Sequence, residues 1–249
     1  MQYEVLAPMY DRLMRHVTYS KWVEQITRVI KRFAVSRDPD ILELGAGTGV
    51  VGSYLRGMGY KYTASDLSFC MCREARINRG LPVCVADATR LPFKKQFDMA
   101  LFLYDGINYL FTQAEYRKLF AEVYDALIPG GLFLFDITTQ ANGLNNFSDF
   151  VDFEDYGDFS YIRRSYFDPY KSIQYNDFTI YKRVDADNNS QPLYEKYTEE
   201  HKQKVFTVPE IEKMIPKKRF SVLGIWDGYT FRKYTKKSDR IHFLLKKDF

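Results

Sequence analysis

Asp40-Ile41-Leu42-Glu43-Leu44-Gly45-Ala46-Gly47-Thr48-Gly49 decides the reading of the chain. A short apolar run carries one acidic residue and then gives way to glycine at alternate positions. Such a run reads as a strand that stops at a turn, with a helix opening behind it. Glycine tolerates positive φ and lacks the Cβ that would hold a ligand off the backbone. The helix N-terminus adds N–H groups with no partner inside the helix. Two nucleotide-binding turns compete for this loop. The dinucleotide fingerprint G-x-G-x-x-G, counted from Gly45, needs its third glycine where the chain has Val50. The pattern here is instead acidic-x-Gly-x-Gly-x-Gly starting at Glu43, and that spacing argues against a nicotinamide oxidoreductase.

On the N-terminal side, Trp22, Ile26, Val29, Ile30 and Phe33 recur at helical spacing, which predicts a helix over about 8–34. Ser36-Arg37-Asp38-Pro39 ends it. On the C-terminal side the pattern predicts strands at 60–65, 81–86, 97–104 and 132–137. Helices fall at 70–78 and 113–127, and Pro129-Gly130-Gly131 turns the chain into the last of these strands. Apolar strands alternating with helices indicate a parallel sheet covered on both faces. After about residue 150 the period changes to three extended segments, 159–167, 172–184 and 193–206. They are separated by Asp168-Pro169 and by the turn-forming run Asp185–Ser190. The α/β pattern then resumes, with a helix at 208–215 behind a Thr207–Glu210 cap and closing strands at 220–225 and 240–246. Residues 150–206 are therefore expected to be an antiparallel insert in an α/β domain made of 1–149 and 207–249.

Two acidic residues follow the glycine loop at strand ends. Asp66 lies where a carboxylate meets a ribose diol, and its two oxygens can accept from vicinal hydroxyls. The competing role is a helix cap beside Ser68. Asp87 in Asp87-Ala88 can accept from an adenine amino group, with a backbone N–H beside it for a ring nitrogen; the competing role is an ordinary turn aspartate.

Taken in order, these residues resemble the class I S-adenosylmethionine-dependent methyltransferases. Ile41–Gly49 resembles the first signature of that family, and Ala64-Ser65-Asp66-Leu67-Ser68 the acidic second. Val85-Ala86-Asp87-Ala88 with Leu91-Pro92-Phe93 resembles the third. Phe97–Phe102 is similar to the fourth strand and Leu127–Gly131 to the entry of the fifth. The resemblance implies a Rossmann-like, seven-stranded, mostly parallel sheet with helices on both faces and its last strand antiparallel. It also implies S-adenosyl-L-methionine at the carboxyl ends of the strands. A narrower resemblance, to small-molecule enzymes such as the sugar N,N-dimethyltransferases, rests on Tyr10-Asp11, Tyr19 and Trp22, on Asp105–Leu110, and on Glu199-Glu200-His201 within the insert. That subgroup implies an N-terminal helical lid over about 1–35 and an insert that forms part of the substrate pocket.

The resemblance carries over residue by residue. Glu43, Gly45 and Gly47 shape or contact the methionine end. Asp66 binds the ribose with Leu67 against the adenine, and Asp87 and Ala88 read the adenine edge. Tyr104 lies beside the sulfonium, where an aromatic face suits a cation. Tyr10, Tyr19 and Trp22 complete the cofactor site, and Tyr10 also lids it or orients an acceptor. His201 is a candidate general base, with a structural hydrogen bond as its other role. His16 and His242 read as structural.

Bulk properties bound the rest. In 249 residues, 46% are hydrophobic and 27% charged, as expected of a chain that buries a real core. No apolar run approaches the roughly 20 residues that span a bilayer, so no membrane partner is expected, and the first residues do not read as a signal peptide. Cys70, Cys72 and Cys84 supply neither a disulfide framework nor metal-type pairs, which predicts reduced thiols in the cytoplasm and no metal site. The expected acceptor is a small molecule. The alternatives are RNA, met by late basic residues from Lys213 to Lys237, and binding of S-adenosylmethionine by a regulator without turnover.

Overall fold

The computed structural model describes residues 3–184 and 191–248. The expected turn at Asp185–Ser190 lies outside the described residues. The chain begins with a 3-10 turn at Ala7–Met9, α1 (Tyr10–Leu13) and α2 (Tyr19–Phe33). It continues through β1 (Ile41–Leu44), α3 (Val50–Gly57), β2 (Tyr62–Asp66), α4 (Phe69–Arg79), β3 (Val83–Val85) and β4 (Phe97–Phe102). Next come α5 (Gln113–Ala126), β5 (Leu127–Thr138) and α6 (Gln140–Asn146), then four strands: β6 (Phe150–Asp155), β7 (Phe159–Asp168), β8 (Ile173–Arg183) and β9 (Tyr194–Lys204). α7 (Val208–Met214), β10 (Phe220–Asp227) and β11 (Arg240–Lys247) close the chain.

The main sheet has seven strands in the order β10-β11-β5-β4-β1-β2-β3. β1, β2, β3, β4 and β5 run parallel, and β11 runs antiparallel between β5 and β10. Alternation along each strand sends side chains to opposite faces. Leu42, Leu44, Ala100, Phe133 and Phe135 pack with α5 and α7 through Tyr116, Phe120 and Ile211. Ile41, Met99, Leu101, Leu132 and Leu134 pack with α2, α3 and α4 through Ile26, Val29, Leu55 and Ala75. The fold is thus a mostly parallel α/β sandwich of the Rossmann-like kind. β6, β7, β8 and β9 form a second, antiparallel sheet.

Several details differ from the sequence reading. The single helix expected over 8–34 is broken at Met14–Thr18. Its two halves serve different cores: Leu6, Met9, Leu13 and Met14 pack on Phe159, Tyr161, Phe178 and Ile180 of the second sheet. Trp22, Ile26 and Val29 pack on the main sheet instead. β5 starts at Leu127, and Pro129–Gly131 forms an irregularity inside it rather than a turn before it. β6 was not expected because its polarity is inverted. Asp152 is drawn inward by Arg163 at 2.8 Å, and Phe153 is 77% exposed. α6 was also not expected; it is a short helix with Thr139 as its cap.

The late basic residues do not form one patch. β10 runs parallel to β5, so Lys217, Lys218 and Arg219 before it lie at the amino-terminal edge of the sheet. Arg232, Lys233, Lys236 and Lys237 lie at the opposite, carboxyl-terminal edge.

Candidate active site

The glycine loop leaves β1 with Gly45 at φ +58° and Gly47 at φ +57°. A Cβ on Gly45 would come within 2.7 Å of the Phe102 ring, whereas one on Gly47 would project into open space. Gly45 is therefore required by packing and conformation, and Gly47 by conformation and by the room it leaves. The Gly47 N–H donates to Asp66 Oδ2 at 2.8 Å, and the Ser68 N–H donates to Asp66 Oδ1 at 2.8 Å. One carboxylate thus ties the glycine loop to the start of α4, with a lone pair to spare on each oxygen. Burial pushes the Asp66 carboxyl up, against the pull of the Ser68 and Gly47 N–H groups. The cap of α4 is Ser68, whose hydroxyl accepts from the Met71 N–H.

These residues wall a cavity of about 580 Å³ at the carboxyl ends of the parallel strands. Gly45, Gly47, Asp66 and Leu67 line it from one side, and Asp87 and Ala88 from the loop after β3. Asp87 accepts from the Thr89 N–H at 2.7 Å and the Thr89 hydroxyl at 2.9 Å through Oδ1. Tyr10, Tyr19 and Tyr104 complete the wall. Burial pushes the Tyr19 hydroxyl up to about 12, and it pushes those of Tyr10 and Tyr104 well above the usual range, so all three are neutral hydrogen-bonding groups.

Two residues expected at the cofactor stand elsewhere. Trp22 is not in the cavity wall; it is 1% exposed and stacks on His242 at 5.0 Å, edge-on to Tyr229. The cause is the main-sheet packing of α2, which puts Tyr104 in front of it at 6.0 Å. Glu43 is also behind the wall. Strand alternation turns it toward Tyr62, whose hydroxyl donates to it at 2.6 Å, and burial pushes its carboxyl up to about 7. His242 reads as structural here: buried beside Arg240, its imidazole is pushed down to about 3.

A second, polar cavity of about 200 Å³ opens beside the first, between the main sheet and β7–β9. Tyr3, Tyr10, Tyr104 and Tyr109 line both cavities and so mark their junction. Tyr104 and Asp105 are consecutive non-glycine residues in the left-handed region, at φ +56° and +53°. Such strain persists where surrounding contacts impose it. Here the Asp105 N–H donates to Asp136 at 2.9 Å, Arg240 pairs with Asp105 at 2.6 Å and also with Asp136, and Gln203 donates to Asp105. The Arg240 guanidinium also lies 4.9 Å from the centre of the Tyr104 ring.

His201 lines this second cavity and not the first. It is 2% exposed, with Nδ1 at 3.3 Å from Tyr109 Oη and Nε2 at 3.3 Å from Glu199. Sequence reasoning marked Tyr109 and Glu199 only as parts of the family-like segments Asp105–Leu110 and Glu199-Glu200-His201, without individual roles, and gave no role to Tyr3, Asp136 or Arg240. The available signal was position: Asp105 follows β4, Asp136 lies near the end of β5, and Arg240 begins the neighbouring antiparallel β11. Among the described residues no cluster of His, Cys, Asp or Glu could hold a metal ion, and no helix is long and apolar enough to cross a membrane.

Comparison with known proteins supplies a family. Residues 41–131 match the model of a methyltransferase domain family. A protein of Geobacillus sp. (strain WCH70), provisionally named a methyltransferase, is 27% identical over 252 residues, covering 99% of this chain and 100% of its own. The crystal structure of an S-adenosylmethionine-dependent methyltransferase from Clostridium acetobutylicum ATCC 824 superposes with TM-score 0.80 at 26% identity, covering 99% of both chains. The sugar N-methyltransferase KedS8 from Streptoalloteichus sp ATCC 53650 shares the fold, with TM-score 0.74 at 16% identity over 98% of this chain and 93% of that one.

Proposed function

The chain belongs to the class I S-adenosylmethionine-dependent methyltransferases, and from that premise we propose that it methylates a small polar molecule held in the second cavity. The observation that carries this reading is the pair of joined cavities. The larger one suits an adenosylmethionine: bare backbone at Gly45 and Gly47, a carboxylate with free lone pairs at Asp66, and aromatic walls. The smaller one, at about 200 Å³, is somewhat roomier than an apolar cavity of about 150 Å³ that holds benzene. It therefore takes a unit of about one ring. Its lining of Asn176, Gln174, Arg163 and Asp105 calls for a polar one.

Bound there, S-adenosylmethionine supplies a methyl group already activated on a sulfonium. The chain's own residues position and shield. Asp66 takes the ribose hydroxyls while keeping its two backbone bonds. Asp87 and Ala88 meet the adenine edge, and Gly45 and Gly47 leave space for the methionine end. Glu43 acts indirectly, by fixing Tyr62 beneath the loop. Tyr10 and Tyr104 stand at the junction and exclude water there. Alignment of this kind contributes up to roughly 7–11 kcal/mol in favourable systems. In this reading His201 receives a proton through a neighbouring hydroxyl rather than from the acceptor itself; its Nδ1 lies 3.3 Å from Tyr109 Oη, and its buried Nε2 lies 3.3 Å from Glu199.

The test is incubation with a metabolite extract and isotopically methyl-labelled S-adenosylmethionine. A labelled small-molecule product is the expected result. Label entering only RNA, or binding without turnover across extracts, would overturn the reading.

A further inference from the structure

Tyr3, Tyr109, His201 and Glu199 form one connected line through the wall between the two cavities. Tyr3 Oη and Tyr109 Oη are 2.6 Å apart, Tyr109 Oη is 3.3 Å from His201 Nδ1, and His201 Nε2 is 3.3 Å from Glu199 Oε2. The Tyr3 ring also lies over the imidazole at 4.4 Å between centres. The His201 side chain is 3% exposed and that of Glu199 7%.

The far end of this line is held as a carboxylate. Glu199 accepts from the backbone N–H of Tyr3 at 3.0 Å, Val5 at 2.5 Å and Leu6 at 3.1 Å. Burial works against its charge, but His201 and the Val5 and Leu6 N–H groups outweigh burial and hold the carboxyl below its usual range. An ionised carboxylate only accepts hydrogen bonds. Nε2 is buried 3.3 Å from Glu199 Oε2 without being aligned for a hydrogen bond with it. The carboxylate beside it favours the ring hydrogen on Nε2, which leaves Nδ1 of the neutral ring as an acceptor. Nδ1 then takes the Tyr109 hydroxyl hydrogen, the Tyr3 hydroxyl donates to the Tyr109 oxygen, and that oxygen has one lone pair left for the cavity junction. Every donor in the line points away from the junction and toward Glu199.

We propose that Tyr109 is a catalytic residue that takes the acceptor's proton and relays it to His201, with Glu199 the positioning residue that sets the direction of the relay. This rests on the methyltransferase reading above. As the acceptor heteroatom gains its methyl bond, its N–H or O–H proton passes to Tyr109 Oη. The Tyr109 proton passes to His201 Nδ1, and the resulting imidazolium is paired with Glu199. Tyr109 ends the step unchanged. The same Glu199 carboxylate fastens Tyr3, Val5 and Leu6, so the relay is complete only with the N-terminal segment docked.

The experiment is ¹⁵N NMR of the histidine side chains in the cofactor-free protein, with His201→Asn assigning the His201 signals. The wild type is expected to carry its ring hydrogen on Nε2. In Glu199→Gln the amide oxygen can still serve Val5 and Leu6, while its NH₂ faces Nε2 and also meets the Tyr3 N–H, whose bond to the carboxylate is lost. The hydrogen should then move to Nδ1, reversing the line. Unchanged His16 and His242 signals certify that the variant is folded. Tyr109→Phe should lower labelled-methyl incorporation from extract by about 100-fold or more, with binding of S-adenosylhomocysteine changed less than about threefold. A wild-type hydrogen on Nδ1, a tautomer indifferent to Glu199→Gln, or full turnover in Tyr109→Phe each overturns the relay. Failure of the wild type to turn over any acceptor overturns the methyltransferase reading instead, while the tautomer measurement still stands on its own.

Discussion

Replacing Asp66 tests the cofactor site most sharply, because the structure makes alanine and asparagine comparably damaging. Asp66 already accepts from two backbone donors, Gly47 N–H on Oδ2 and Ser68 N–H on Oδ1. A ribose diol would add one hydrogen bond to each oxygen. Hydrogen bonds to a charged group contribute about 1.5–3 kcal/mol each. Loss of two amounts to about 3–6 kcal/mol, or roughly two to four orders of magnitude in Kd. Alanine sits at the lower end, because water can refill the space. Asparagine is nearly isosteric, and a simple reading of shape expects it to be mild. Yet it has only one oxygen for two fixed donors, so its NH₂ must face either Gly47 N–H or Ser68 N–H. It therefore loses a structural bond as well as a ribose contact, and should weaken binding by at least about 30-fold. Titration calorimetry with S-adenosylhomocysteine, alongside thermal melts, measures both effects. If Asp66→Asn binds within about threefold of the wild type, the carboxylate does not hold the diol and the assigned orientation of the cofactor is wrong.

Three further outcomes are expected. Glu43 in the folded chain keeps its proton up to about 7, against 4.5 unperturbed. The native state then binds more protons than the unfolded state across that window, so stability falls as pH rises from 4.5 to 7, by a ceiling of about 3 kcal/mol. Urea midpoints at the two ends of the window should show this slope, and Glu43→Gln should flatten it; an equal slope in both proteins refutes the assignment. Arg240→Met leaves Asp105 and Asp136 buried without their cation, which should cost about 3–5 kcal/mol and lower Tm by roughly 6–20 °C; a change under about 2 °C counts against it. Trp22→Ala removes a core side chain and should cost about 3–5 kcal/mol, whereas Trp22→Phe should keep cofactor affinity within about threefold; a tenfold loss of affinity in Trp22→Phe would return Trp22 to the cavity wall.

The parallel half of the fold was legible because local signals agreed with the tertiary arrangement. Strand runs, the glycine loop and Asp66 all mark the same edge of one sheet, and the loop's position relative to β1 follows from chain order alone. Tyr10, Tyr19 and Tyr104 were placed at the cavity by resemblance, and the geometry puts them on its wall. Trp22 was misplaced because helical period tells which face is apolar, not whether that face meets a ligand or a core. Glu43 lies next to the glycine loop in sequence, but β1 alternation turns it away. β6 escaped notice because its inward face is polar, with Asp152 held by Arg163. The second cavity and its surrounding network were the least legible part: their groups come from residues 3, 105, 109, 136, 199, 201 and 240, and only long-range pairing assembles them.

The attachment of the N-terminal segment to Glu199 also sets an order of events during synthesis. Val5 and the carboxylate that holds it are separated by 194 positions. At about 5–20 residues per second, the ribosome needs about 10–40 seconds to make that stretch. Through that interval the glycine loop, β1 and the parallel strands can emerge and begin to pack, while Leu6, Met9, Leu13 and Met14 still lack the strands they cover. This segment, made well before the strands that hold it, is among the last to dock. A fusion or tag joined ahead of Tyr3 would therefore disturb the final step of assembly rather than the first, and its damage should appear in the second cavity before it appears in the fold.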